Sequence, residues 1–306
     1  MKYKKVFIDD IVAYLGKDIL SVCGPTESIC IYNIPDASSV SEESLDWINS
    51  NKANKQEIAE NSKAKVLVVD EGVAYTDELK NQGKTLLVVK QPRNAVAKIA
   101  EYFYLDKPAS GIHPSAIIDE DAVVDPSAHI GAGCVIGKAT IGANTIIMPN
   151  VVVYDDVTIG DNCLIQAGAI IGTDGLGCTR DEEGRLTKFP HLAGIRIGNN
   201  VEIGANCQIA KGTFSDTIIE DGCKMNGLCF IAHNSHLEEN VWITGDTMLC
   251  GSVHVGKNTT IFSNVIVRDQ VSLGERVVIG MGSVVTKSVP DHETWLGSPA
   301  HKLEKK

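Results

Sequence analysis

The chain has 306 residues, of which 43% are hydrophobic and 22% charged, a balance typical of globular rather than disordered proteins. Its net charge of −11 argues against a nucleic-acid-binding protein, because nucleic-acid affinity rests largely on clustered lysine and arginine. No apolar run approaches the roughly 18 residues of a membrane-spanning helix, and the first residues lack the apolar core of a signal peptide. We therefore expect a cytoplasmic protein without a transmembrane segment.

Residues 1–107 contain the elements of a small α/β domain. The apolar runs "AKVLVVD" and "KTLLVVK" predict buried strands, whereas residues 41–62 and "RNAVAKIAEYFYL" predict helices. The turn-forming residues of "DKPASGIHPS" then mark a boundary close to residue 107. We therefore expect a separate domain before the repeat that follows.

A six-residue repeat dominates residues 108–289. Aliphatic residues recur at six-residue intervals from Ile112, and from Ile219 onward the period continues without a slip. The repeat pauses over residues 172–196, which we expect to form an insertion loop. The last residues, 290–306, leave the repeat and are expected to form a short charged tail.

The period of six predicts the architecture of this second domain. Three hexads that close one triangular coil place residues 18 apart in neighbouring coils, at about the 4.8 Å spacing of paired strands. The aliphatic positions then form one continuous apolar column inside a prism, a pattern that neither a helix nor an alternating strand produces. Many hexads begin with an aliphatic residue and a glycine, which we interpret as the turning residue. The repeat therefore predicts a mainly β fold, a parallel β-helix.

The nine cysteines and the histidines of the repeat do not indicate a metal site. No two cysteines form a C-x-x-C pair, and five follow a repeat-defining aliphatic residue by four positions, where a thiol serves as a small buried hydrophobe. These five are Cys134, Cys163, Cys207, Cys223 and Cys229. No three of the histidines at 113, 129, 236 and 254 are expected to converge on one corner. Because tetrahedral zinc needs converging ligands, we expect no bound metal.

One histidine of the repeat is a candidate base. His233 follows the inward Ile231 by two positions, where the chain turns a corner, so its side chain is expected to point outward. An imidazole with an ordinary pKa near 6.5 can take a proton near neutral pH. Gly251, 18 residues later, lies one coil beyond and allows close approach to its backbone N–H, which suits an oxyanion. The alternatives are a solvent-exposed corner histidine and an ordinary turn glycine.

The repeat resembles that of the hexapeptide acyltransferase superfamily, in which a left-handed parallel β-helix trimerises and places active sites between subunits. A finer resemblance is to the UDP-3-O-(3-hydroxyacyl)glucosamine N-acyltransferase family of lipid A synthesis. It rests on "GIHPSAIID", "IGDNCLIQAGAIIGTDGLG", "VEIGANCQI", "SDTII" and "FIAHN", and on "SLDWINSNK" and "KVLVV" in the first domain. The resemblance implies a homotrimer that transfers an acyl group from acyl carrier protein or coenzyme A to the amine of a nucleotide-linked amino sugar. No bound cofactor is implied.

The resemblance also assigns roles to residues of the first domain. It implies that residues 1–107 bind uridine and that Trp47 stacks on the uracil ring. The polar neighbours Asn49, Ser50 and Asn51 are expected to read the edge of the base. The alternative for Trp47 is a core tryptophan of the small domain.

In the β-helix, the resemblance implies that His233 is the base and that Asn234 and Asp269 contact substrate. Asp269 stands where the family has a second active-site histidine, and Ala210 and Lys211 stand where it has Asp-Arg. The segment "WLGSPAHK" instead looks like coenzyme A-using sugar acetyltransferases of the wider superfamily. Two alternatives thus remain open: a coenzyme A-dependent short-chain N-acyltransferase for surface polysaccharide, and a non-catalytic β-helix binding protein.

Overall fold

The computed structural model describes residues 3–303, and the chain forms two compact units, Met1–Lys107 and Pro108–Lys306. The sheet of the first unit has four strands, in spatial order Ile19–Cys23, Thr85–Val89, Val66–Val69 and Leu45–Trp47. A separate antiparallel pair joins Val6–Phe7 to Cys30–Ile31. The helices are Ile8–Leu15, Lys55–Asn61, Asp77–Asn81 and Pro92–Ile99, with a 3-10 turn at Gly16–Asp18 and a π-helical turn at Ala100–Tyr104. No described helix is long and apolar enough to cross a membrane.

The first unit confirms its predicted strands and corrects one predicted helix. Val66–Val69 and Thr85–Val89 are buried strands, as expected. The helix expected over residues 41–62 is wrong for its first half, because Leu45–Trp47 is a strand and the helix spans only Lys55–Asn61. This strand pairs in parallel with the first of the two buried strands, so its backbone groups are satisfied across the sheet rather than within a helix.

The second unit is a prism with three parallel sheets, which we call the first, second and third faces. The first face contains Gly111–Ile112, His129–Ile130, Ile146–Ile147, Leu164–Ile165, Glu202–Ile203, Lys224–Met225, Trp242–Ile243, Thr260–Ile261, Val278–Ile279, Thr294–Leu296 and His301–Lys302. The second contains Ile117–Ile118, Val135–Ile136, Val152–Val153, Ile170–Thr173, Gln208–Ala210, Phe230–Ile231, Met248–Leu249, Ile266–Val267 and Val284–Val285. The third contains Val123–Val124, Thr140–Ile141, Val157–Ile159, Ile195–Ile197, Thr217–Ile219, His236–Leu237, His254–Val255 and Ser272–Leu273. The predicted mainly β fold, a left-handed parallel β-helix, is confirmed.

The core of the prism is the predicted column of aliphatic residues. Ile231 pairs in register with Ile209 on one side and Leu249 on the other, and all three are 0% exposed. Complete burial of such a side chain stabilises the fold by about 1.5–3 kcal/mol relative to exposure. The five cysteines expected to fill the interior are buried, as predicted. Ile112 is instead 50% exposed, because its strand pairs with one neighbouring coil only.

The corners are turned by asparagine more often than by glycine. Asn144, Asn162 and Asn234 have φ values of 55°, 55° and 58°, in the left-handed region that asparagine tolerates better than most residues. A Cβ on Gly142 would lie 2.6 Å from the carbonyl carbon of Gly160 in the next coil. Glycine after the aliphatic position therefore permits close stacking of coils, which corrects our interpretation of it as the turning residue.

The insertion is a β-hairpin that leaves the second face and returns to the third. Gly177–Arg180 runs antiparallel to Leu186–Phe189, and the chain resumes the prism at Ile195–Ile197. Backbone hydrogen bonds from Leu192 and Ala193 to the carbonyl of Thr213, at 2.8 and 3.1 Å, tie the returning segment to the next coil. The insertion is therefore anchored next to the corner that carries Asn234.

The segment after residue 290 differs from the expected tail. Thr294–Leu296 extends the first face by pairing in parallel with Val278–Ile279, and His301–Lys302 turns back antiparallel to it. Ala300 is only 4% exposed and packs against the core. The segment thus covers the end of the apolar column. Residues 304–306 of the predicted tail lie outside the described part of the chain.

Candidate active site

Three of the predicted site residues lie in one column along a corner of the prism. Pairing of neighbouring strands on the second face places His233, Gly251 and Asp269 at equivalent positions of successive coils. The N–H of Ser252 donates to the His233 carbonyl at 2.9 Å, and the N–H of Gln270 donates to the Gly251 carbonyl at 2.9 Å. Asp269 is exposed. Residues that are 18 apart in the sequence therefore lie next to each other in neighbouring coils.

The tautomer of His233 follows from the hydrogen bonds of Asn234. The Asn234 Oδ1 accepts from the backbone N–H of Thr213 at 3.2 Å, and its Nδ2 donates to the Ser215 carbonyl at 2.8 Å, which defines the orientation of the amide. The His233 Nδ1 lies 3.0 Å from this Oδ1, which only accepts, so Nδ1 must be the donor. In the neutral ring, Nε2 is then left with the lone pair that a base needs. Asn234 thus bonds within its own chain, which favours a positioning role over the expected substrate contact.

Gly251 is in close contact with the basic edge of His233. A Cβ at residue 251 would lie 2.8 Å from the His233 Nε2 and 2.7 Å from its Cε1, so any other residue would displace the ring. The Gly251 N–H has no hydrogen-bond partner among residues 3–303. This N–H and the Nε2 lone pair are therefore two unpaired groups on adjacent coils.

The sequence analysis missed a second imidazole at this site. His191, in the insertion, has its ring centroid 5.1 Å from that of His233, with the ring planes at 74°. A Cβ on Gly175 would lie 2.5 Å from the His191 Nε2 and 2.8 Å from the His233 Cδ2, so this glycine contacts both rings. The six-residue repeat could not predict that His191 lies next to His233, because His191 is in the insertion, where no periodic spacing relates a residue to a coil. "GTDGLG", read only as the start of the insertion, includes Gly175.

The surroundings of His191 favour its uncharged form. Its side chain is 4% exposed, and burial is the main cause that lowers the pKa of His191 below its usual range. The neighbouring His233 lowers this pKa further, whereas Asp174 and the backbone of Phe189 oppose the shift. The Asp174 carboxylate itself is held ionised by Lys188 Nζ at 2.7 Å. A neutral imidazole therefore lies next to the candidate base.

The remaining predicted residues lie in the first unit. Trp47, at the end of its strand, is half-buried and lines a groove of about 500 Å³ with Lys52, Asn54 and others. Asn49 and Ser50 do not line this groove. The Asn49 Oδ1 accepts from the N–H of Asn51 at 3.4 Å. Trp47 therefore lies beside a groove, whereas Asn49 and Ser50 do not line it.

Ser50 contacts a carboxylate of its own chain. Burial raises the pKa of Asp70, but hydrogen bonds from Lys55 and Ser50 lower it overall. The Lys55 Nζ lies 2.8 Å from the Asp70 Oδ1. The hydroxyl of Ser50 is thus part of an ion-pair network within the first unit.

The titratable side chains of the described chain do not gather into a metal site. Across residues 3–303, no group of three or more His, Cys, Asp or Glu side chains is placed to hold a metal ion. On the third face, His236 and His254 lie edge to face, and their Nε2 atoms lie 2.7 Å from Glu220 Oε1 and 3.0 Å from Glu238 Oε1, respectively. Each of these two histidines therefore has a carboxylate partner away from the corner of His233.

Comparison with known proteins identifies the family. A family model described as "Bacterial transferase hexapeptide (six repeats)" matches residues 138–173 and 252–287. The UDP-3-O-acylglucosamine N-acyltransferase of Bordetella parapertussis is 34% identical over 284 residues, which cover 85% of this chain and 78% of that protein. The chain belongs to the UDP-3-O-acylglucosamine N-acyltransferase family.

Other relatives agree with this family over shorter lengths. The probable UDP-3-O-acylglucosamine N-acyltransferase 2, mitochondrial, of Arabidopsis thaliana is 37% identical over 138 residues, and the match spans 45% of this chain and 45% of that relative. Among solved structures, the UDP-N-acetylglucosamine acyltransferase of Francisella novicida matches with a TM-score of 0.58 and 26% identity, over 63% of this chain and 70% of that one. The family resemblance of the quoted sequence blocks is confirmed.

The Asn234 contact predicts the protonation pattern of His233. In Asn234→Ala the Nδ1 loses its acceptor, so we expect the preference for the Nδ1–H tautomer to disappear. Histidine ¹⁵N chemical shifts above pH 8 measure this directly. Asn258→Ala is the matched control, because it removes another left-handed corner asparagine that lacks a side-chain bond to His233. An unchanged tautomer in Asn234→Ala would contradict the assignment.

Proposed function

We propose that the protein is an N-acyltransferase that moves an acyl group from a pantetheine thioester to the amine of a UDP-linked amino sugar, in lipid A-type biosynthesis in the cytoplasm. The observation that carries the proposal is that the His233 Nε2, with its free lone pair, lies beside Gly251 of the next coil, whose N–H has no hydrogen-bond partner among the described residues. A base and an oxyanion donor are the two groups that acyl transfer to an amine requires. Membership of the UDP-3-O-acylglucosamine N-acyltransferase family supports the substrate class.

In the proposed mechanism, the His233 Nε2 takes a proton from the sugar amine as the amine nitrogen attacks the thioester carbonyl carbon. The C–N bond forms, and the negative charge that develops on the carbonyl oxygen is stabilised by the Gly251 N–H. The tetrahedral intermediate then collapses, the C–S bond breaks, and the thiolate takes the proton from the imidazolium. Direct transfer in a ternary complex is proposed, because no cysteine or serine side chain is hydrogen-bonded to the His233 ring among the described residues.

The nucleotide is proposed to bind the first unit at the Trp47 groove. A half-buried indole beside an open groove offers a stacking surface, while Lys52 and Asn54 supply polar groups along the same wall. Asn49 and Ser50 remain proposed contacts of the base from the family resemblance alone. The donor is proposed to be acyl carrier protein or coenzyme A, since both present the same pantetheine thioester. No bound cofactor takes part in the proposed reaction.

A homotrimer is proposed from the outer surface of the second face. Its outward positions on four successive coils are all apolar, and Met248 and Ile266 are 42% and 41% exposed. Phe230 and Val284 occupy the same outward position on the two flanking coils, so the four side chains form one apolar ladder. Exposed apolar ladders of this kind indicate contact with another subunit. Because Phe230 precedes His233 by three residues, a subunit packed on this face would lie next to the proposed active site.

The trimer is tested by sedimentation of the purified protein, which should give a mass of about three times 32.8 kDa. The double variant Met248→Glu with Ile266→Glu should dissociate, because carboxylates buried without partners are costly. Trp242→Glu, on the first face and 51% exposed, should remain trimeric and is the matched control. A fully active monomer would contradict both the trimer and the shared site.

The role of the base is tested by His233→Ala, which should lower turnover by about 10²- to 10⁴-fold, the usual range for a general base. The Michaelis constants and the oligomeric state should be preserved. His254→Ala removes an imidazole outside the site and should have wild-type turnover. Trapping of an acyl-enzyme, or normal turnover in His233→Ala, would contradict the mechanism.

The uracil-stacking role is tested by Trp47→Ala, which should raise the Michaelis constant for the sugar nucleotide about tenfold or more, because base stacking on an aromatic contributes roughly 1–3 kcal/mol. Turnover at saturation should change less. Trp47→Phe should retain most of the affinity, and Tyr14→Ala, outside the groove, should leave it unchanged. Intact affinity in a folded Trp47→Ala protein would show that the indole does not stack on the base.

A further inference from the structure

The nitrogens of His191 are an exception among the buried polar groups of the second unit. Among its described residues, His191 is the one with buried side-chain nitrogen or oxygen atoms that lack a partner within ordinary hydrogen-bond geometry, and the Phe189 backbone makes a weaker contact that raises its pKa. Other buried polar side chains there are paired: the Ser235 hydroxyl donates to the Ala232 carbonyl at 2.8 Å, and the Thr217 hydroxyl to the Ala210 carbonyl at 2.8 Å. Leaving such a group without a strong hydrogen bond destabilises the folded protein. A phenylalanine would fill the same space without this cost.

The geometry places His191 on one side of the base and the oxyanion donor on the other. Gly251 approaches the Cε1–Nε2 edge of His233, whereas Gly175 and His191 lie at its Cδ2. The third side, Nδ1, is bonded to Asn234. His233 therefore has close neighbours on three sides, and the His191 side chain on its Cδ2 side is buried.

We propose that His191 is a positioning residue for His233. The His191 ring offers a nitrogen lone pair to the positive charge that His233 gains when it takes the proton. The inference rests on the proposed function, because it assigns His191 a part in the proton transfer to His233. His191 forms no bond to substrate and gains no proton in this role. The proton passes from the amine to the His233 Nε2 and on to the departing thiolate, while His191 remains neutral throughout.

The charged neighbours of His191 are consistent with this role. Burial and the adjacent His233 lower the pKa of His191, while Asp174 and the Phe189 backbone raise it and Lys188 lowers it. Since these surroundings lower the pKa of His191 below its ordinary value, they favour the neutral ring over the charged one. A charged His191 would repel the imidazolium of His233, whereas a neutral one stabilises it.

Two substitutions separate the effect of the His191 ring nitrogens from the effect of the shape of the ring. His191→Phe keeps a ring of similar size and removes both nitrogens, so turnover should fall about tenfold or more while both Michaelis constants stay within about twofold. This split identifies an interaction made only in the transition state. His191→Gln loses the ring and keeps a polar acceptor, and it should recover most of the lost turnover. His254→Phe is the matched control and should behave as wild type.

The opposite pattern, with His191→Phe near wild type, would show that His191 only packs against His233 and would overturn the proposal. A Gln variant no better than Phe would also overturn it. A measurement independent of turnover is the ¹⁵N titration of His191 in the wild-type protein, in which the pKa of His191 should lie below the ordinary value of a histidine. A pKa at or above the ordinary value would overturn the inference even if both variants failed to fold. Absence of acyl transfer by the wild type would instead refute the proposed function and leave this titration as the test.

Discussion

The structure depends on the stacking of coils in an 18-residue register. Beyond the first coil, the inward aliphatic residues are buried between their equivalents in the neighbouring coils, as Ile231 is between Ile209 and Leu249. A shift of one position would turn the aliphatic residues outward, so the core itself selects the register. The same register places His233 one coil from Gly251. Hydrophobic burial inside the prism thereby determines the distance between the proposed base and the Gly251 N–H on its outside.

The corner of the prism makes a regular fold suitable for a reaction. At each corner the chain passes through a left-handed residue, and at Asn234 the same residue that makes the turn also holds the His233 Nδ1. The backbone N–H of Gly251, the residue before a left-handed position, has no hydrogen-bond partner among the described residues. At other corners a side chain accepts from the equivalent N–H, as the Asp161 Oδ1 does from Ala143 at 2.7 Å, so the side chains distinguish one corner from another.

The insertion supplies a buried polar side chain, His191, at a place where the repeat has none. A coil of six-residue segments has few positions for a buried polar side chain, because inward positions belong to the apolar column. The hairpin between the second and third faces brings His191 against His233 from outside this pattern, and Gly175 leaves room for both rings. The loop-borne residue is the less regular and chemically more specific part of the site, as is usual when a rigid scaffold carries loops.

The sequence alone determined the period of six, the buried column, the interior cysteines and the alignment of His233 with Gly251 and Asp269. These features are predictable because a repeat makes spatial distance a simple function of sequence distance. Other features were decided by the tertiary structure. Leu45–Trp47 became a strand through pairing with a distant segment. Asn234 has its side chain bonded to Thr213 and Ser215, across an irregular stretch that breaks the period. His191 reaches the site through the fold of a hairpin, and no periodic spacing relates an insertion to the coil on which it packs.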